Sequence, residues 1–105
     1  MSDIDTLIER LSDRQRREFG LWCAGRVRRL RNDPSGANVL AAAVAVAARY
    51  SSRDAVLAEV GYASQSAVWA AGRGAETDAQ RDAAWDAERA AQRAELKRML
   101  GEVKS

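Results

Sequence analysis

Along most of this chain apolar residues return every three or four positions, the period of helices that each bury one face. A short first helix is predicted over residues 4–11, with Ser2 or Asp3 as its cap. Ser12 then restarts the pattern. Ser12 and Gln15 are spaced as a capping box, in which the hydroxyl takes an orphan amide and the glutamine reaches back, so a second helix is predicted over 13–31. On it Phe19, Trp22, Cys23, Val27 and Leu30 share one face. Asn32-Asp33-Pro34-Ser35-Gly36 interrupts the pattern, with Asp33 placed to cap a third helix and Pro34 at its first position, where a missing N–H costs nothing.

That third helix, over 34–49, is apolar on every side, which predicts a place in the middle of a bundle. A fourth follows the turn Tyr50-Ser51-Ser52, with Asp54 suited to its positive end. Its stripe holds Leu57, Val60, Gly61, Ser64, Val68 and Ala71, and Gly61 there either admits a neighbour closely or marks a bend. Gly72-Arg73-Gly74 stops it, and Thr77 with Gln80 forms a second capping box for a fifth helix from 78 to 100 or beyond. At about 100° per residue, Trp85, Leu96, Met99, Leu100 and Val103 share a face expected to fill core volume. Ala83, Ala84, Ala87, Ala90, Ala91 and Ala94 lie largely opposite, where another helix backbone, from this chain or a second copy, is expected to approach. The expected fold is all-α: a compact bundle of four main helices plus a short N-terminal one, in a single domain over residues 1–105.

Composition agrees, since 22 residues are Ala, six are aromatic and one is Pro. The net charge of +2 is unremarkable, but its distribution is not. Residues 1–9 carry only acids, whereas 10–31 carry eight Arg against Asp13 and Glu18. A single cysteine rules out an intrachain disulfide, and with no leader pattern a cytoplasmic setting is expected. The longest uncharged run, 34–48, is short and Ala-rich for a membrane span, so no membrane partner is expected. There is no His, hence neither the commonest general base nor the commonest zinc ligand. Paired cysteines, a phosphate-binding glycine loop and paired carboxylates on an apolar wall are also missing. Neither enzymatic activity, nor a cofactor, nor a metal is expected.

The candidate contact residues are Arg14, Arg17 and Arg28, opposite the apolar face of the second helix, with Arg31 at its edge. Guanidiniums in this pattern suit carboxylates of an acidic protein surface or phosphates, and the same pattern also describes an ordinary solvated helix face. Trp69 is either a contact anchor or core fill. Phe19, Trp22, Cys23 and Trp85 are expected in structural roles, Cys23 as a buried small residue. Arg26 falls within the apolar face, so it is expected to pair with an acid, Asp86 or Glu88, or to reach outward.

Two segments carry a family likeness. One is Glu18-Phe19-Gly20-Leu21-Trp22-Cys23-Ala24-Gly25-Arg26-Val27; the other is the Ala-rich run from Ala83-Ala84-Trp85 to Arg98-Met99-Leu100. Together they resemble the small Ala- and Trp-rich helical proteins of bacteria and their phages described as immunity proteins. The chain has fewer Ala-Trp steps than that pattern, keeping Trp69-Ala70-Ala71 and Ala84-Trp85. The resemblance implies a non-enzymatic protein-binding inhibitor, of immunity or anti-defence type, that masks a partner's surface. Two other classes remain open: a nucleic-acid-binding phage or plasmid regulator, and a structural component that associates with itself, as a homodimer for example, through the Ala faces of the third and fifth helices.

Overall fold

The computed structural model describes residues 3–31, 34–50 and 52–101, apart from the side chains of Arg31, Pro34, Ala37, Ala47, Ala48 and Tyr50. Five helices follow one another: α1 (Asp3–Arg10), α2 (Asp13–Arg31), α3 (Pro34–Tyr50), α4 (Arg53–Gly72) and α5 (Asp78–Met99). The fold is an all-α bundle, and its radius of gyration of 13.6 Å matches the ~13 Å of a packed chain this long. The Asp33 cap and Val103 lie outside the described residues.

The helix starts are fixed by side chains. At α2 the capping box closes both ways: Gln15 N donates to Ser12 Oγ at 3.2 Å, and Ser12 N donates to Gln15 Oε1 at 2.9 Å. Gln15 Nε2 also donates to Met99 O at 2.7 Å, which ties the start of α2 to the end of α5. Ser52 caps α4 by accepting from Ala55 N. Thr77 accepts from Gln80 N at 3.1 Å, but Gln80 returns to Glu76 N rather than to Thr77, one residue further back than the capping-box spacing predicts.

α2 and α4 form the central pair, with α3 leaning on both, α5 on α4 and α1, and α1 closing the end. This corrects the central position expected for α3. The seating depends on one close approach: a Cβ at Gly20 would stand 2.8 Å from Val44 Cγ1 and 3.3 Å from Val60 Cγ2, so only glycine lets α3 and α4 seat against α2 here. α3 buries Leu40 and Val44 and leaves Val39 and Val46 outside, 69% and 55% exposed.

The main core joins Ile4, Leu7, Ile8 and Leu11 to Phe19 and Cys23 of α2, Val44 of α3, Val56, Val60 and Ala63 of α4, and Leu96 of α5. A smaller cluster of Ala24, Val27, Leu40 and Ala67 fills the α2–α3–α4 junction. Gly61 admits no neighbour, since nothing lies within 4 Å of a Cβ placed there. The tight approach on α4 is at Gly72 instead, where a Cβ would collide with the Trp85 indole. On α5 the alanine face is mostly open: Ala83, Ala87, Ala90 and Ala94 are exposed, and Ala84 and Ala91 are half-buried.

Candidate contact surfaces

Arg14, Arg17 and Arg28 lie exposed on the outer side of α2, and the Arg31 side chain lies outside the described residues. They do not form one row. Arg14 and Arg28 stand 14 positions apart, about 21 Å at 1.5 Å per residue. Half-buried Leu21 and Gly25 occupy the stretch between. Exposed Arg29 joins Arg28, so the helix carries two basic ends around a neutral middle. Arg14 is 89% exposed and donates from Nε to Glu18 Oε1 at 3.1 Å, a solvated pair of small energetic weight.

A fourth arginine behaves differently. Arg16 is 3% exposed and holds the end of α1, donating to Ile8 O at 3.2 Å, Glu9 O at 2.7 Å and Asp13 at 2.9 Å. The signal for it was present in the sequence, because position 16 lies one turn before Phe19 and Gly20 on the apolar stripe.

Trp69 stands on the outside, 56% exposed, and it has company. Tyr62, two turns earlier on α4, is 58% exposed, and Val39 and Val46 project from α3 beside it. Val39 and Tyr62 share the lip of a groove of about 280 Å³ whose floor includes Gly36, Leu40, Val27 and Ser66. Two apolar ridges thus flank the α3–α4 seam: Val39 and Val46 on one side, Tyr62 and Trp69 on the other. The surface is also free of charge over a long stretch, with no Asp, Glu, Lys or Arg in 34–48 or in 60–72. Of this surface, sequence reasoning found only Trp69. A helix apolar on all sides gives no sign of which side will remain outside. A second groove of about 300 Å³ separates α1 from α4, with Leu57, Ala58 and Gly61 facing Asp5, Ile8 and Glu9.

The remaining candidates build a polar seam inside the bundle. Arg26 pairs with Glu88, as one of the two expected acids, donating from Nε to Oε1 and Oε2 at 3.0 and 3.2 Å and from Nη2 to Oε1. The Glu88 side chain is 1% exposed and that of Arg26 27%. The guanidinium also lies 5.5 Å from the Trp22 ring centroid, and Trp22 stacks on Phe19 at 5.8 Å. The hydrogen bonds to Glu88 hold the Arg26 proton more tightly than usual, against the opposing effect of burial. Cys23 is fully buried, and that burial, with the Glu88 charge adding to it, pushes its thiol far above the ordinary range.

One turn along α5, Gln92 Nε2 donates to Ser64 O at 3.0 Å while Ser64 Oγ donates to Gln92 Oε1 at 2.5 Å. Trp85, half-buried against Gly72, has Arg81 over its ring at 5.4 Å. Among the described residues the Trp85 Nε1 and Arg81 Nε donors are buried without a partner, which nothing in the structure explains. The ion pairs on the rest of α5, such as Arg89–Asp86 at 3.4 Å, are surface pairs within one turn.

Arg26, Glu88, Ser64 and Gln92 are thus occupied with one another; what they accomplish is the joining of α5 to α2 and α4. Among the described residues no group of His, Cys, Asp and Glu is arranged to hold a metal, and no helix is long and apolar enough to cross a membrane. Comparison with protein-family models, with curated proteins and with solved structures gives no match.

Proposed function

We propose that this protein is a small non-enzymatic inhibitor, of immunity or anti-defence type, that works by covering the surface of a partner protein. The observation that carries this reading is the apolar surface of α3 and α4. In a chain with 30% charged residues, two adjacent helices present Val39, Val46, Tyr62 and Trp69 outward with no charge among them. Exposed apolar groups gathered in this way mark contact surfaces more often than chance exposure does, and tyrosine and tryptophan are the side chains that dominate binding energy. The arginines of α2 take a secondary part: Arg14, Arg17 and Arg28, with Arg31, supply a basic rim that favours an acidic partner and speeds its approach. The immunity-protein resemblance supports the same class and adds the idea of a toxin or defence protein as the partner.

The test is affinity capture of the tagged protein from its host at moderate salt, with nuclease, followed by reconstitution with the captured partner. One dominant protein is expected to survive the nuclease and to be lost with Trp69→Arg. Replacing Arg14, Arg17, Arg28 and Arg31 by Glu is expected to slow association while leaving a measurable complex. Recovery of nucleic acid instead, released steeply as salt rises, would overturn the proposal in favour of phosphate binding.

A further inference from the structure

The α3–α4 surface has a shape and a charge pattern that fit one occupant in particular. An isologous interface sets a patch against itself, so a patch whose charges share one sign meets that sign again in its partner, whichever residues pair. The outer side of α2, with its arginines at both ends, resists such pairing, whereas the α3–α4 surface does not, because 34–48 and 60–72 contain no charged residue.

The surface is also complementary to itself in relief. α3 and α4 run antiparallel, and Val39 lies across from Tyr62 and Ser66 at the middle of the seam. Trp69, two turns beyond Tyr62, therefore stands toward one end, and Val46, two turns beyond Val39, toward the other. A two-fold axis near the Val39–Tyr62 lip lays the bulky Trp69 of one copy against the smaller Val46 end of its partner, twice. Exposed Ala42, between the two valines in sequence, lets the facing α3 helices approach closely.

The size sets the strength. α3 has 17 residues, about 25 Å at 1.5 Å per residue. Two helices spaced about 10 Å apart then present a face of about 500 Å² in projection. Side-chain relief brings that to the lower edge of the ~600–1,000 Å² per partner found in specific complexes. An interface of this size made from valine, tyrosine and tryptophan gives a reversible dimer rather than a permanent one.

We propose that in the absence of its partner the protein pairs with a second copy of itself through the α3–α4 surface, so that partner capture competes with self-association. This rests on the reading of that surface as the contact site.

The experiment is sedimentation velocity on the full chain from about 1 to about 300 µM, the range in which a small interface titrates. Trp69 emission is followed in parallel, taken as the difference from Trp69→Phe. A concentration-dependent shift from 11.5 kDa toward twice that mass is expected, with a blue shift of the Trp69 emission as its ring leaves water. Val46→Arg and Trp69→Arg, both at exposed positions, are each expected to give a monomer of unchanged helicity at every concentration. Lys97→Glu, at an exposed position of α5, is expected to dimerise as the parent does. A chain that stays monomeric throughout overturns the dimer. So does a dimer that survives both arginine substitutions, because another surface would then form it. Partner capture that is lost in Trp69→Arg while the parent stays monomeric would preserve the contact-site reading and sink only the self-association.

Discussion

Replacing Arg26 by Met keeps the aliphatic stem against Trp22 and removes the charge that faces Glu88. The two partners are not equivalent. The Arg26 side chain is 27% exposed and can still reach water, whereas that of Glu88, at 1%, cannot. Leaving a buried charge alone costs about 3–5 kcal/mol. Arg26→Met is therefore expected to lose about 3–5 kcal/mol, of a total near 5–15 kcal/mol for a chain this size. Glu88→Gln, which leaves the guanidinium an acceptor and access to water, is expected to lose only about 1–2 kcal/mol. Urea unfolding followed by circular dichroism measures both. A Glu88→Gln penalty as large as that of Arg26→Met would refute the reasoning.

Two glycines of α2 should respond in opposite directions. Gly20→Ala places a Cβ 2.8 Å from Val44 and should lose about 1–3 kcal/mol by overpacking, while Gly25→Ala, with nothing within 4 Å, should gain about 0.5–1 kcal/mol of helix propensity; thermal melts decide both. Cys23 should resist thiol reagents in the native protein and react only on unfolding. Because its thiol stays protonated when folded but ionises when unfolded, stability should fall by about 1.4 kcal/mol per unit above pH 9, the ordinary thiol value, and Cys23→Ala should remove that part of the slope.

Helix boundaries were largely legible in the sequence because they are set by local chemistry. Ser12 with Gln15, Ser52 and Thr77 with Gln80 act on amides within one turn, and no knowledge of tertiary packing is needed to recognise them. The Arg26 pairing was legible for a related reason, since a charge inside an apolar stripe demands a partner, and Glu88 was one of the two acids expected. The buried side of α5 was legible only in part. Leu96 is in the core and Met99 and Leu100 pack against it, as their shared face predicts, but Glu88 and Gln92 are buried too, where hydropathy would put them in water. What places them inside is that Arg26 and Ser64 satisfy them across the bundle, a long-range fact that no local pattern records.

The misplacement of α3 has the same root and a consequence for function. An all-apolar helix was expected at the centre because burial is the usual way to hide such a surface. The bundle already had a centre in α2 and α4, whose contact is sealed by Phe19, Val60 and the close approach at Gly20, and α3 could cover only one side of it. The apolar residues left over were therefore not demanded by this fold. Folding alone would tolerate charged residues at Val39 and Val46, as it does at the outward Asp82, Asp86, Lys97 and Arg98 of α5. Their apolar character, on the helix that borders exposed Tyr62 and Trp69, thus argues for something outside the monomer. The inference is stronger for α3 than for the alanine face of α5, where a small residue is a good helix former whether or not anything covers it. A β-branched valine in an exposed helix is a poorer helix former than alanine or lysine, and contact with another surface gives a physical reason for its presence.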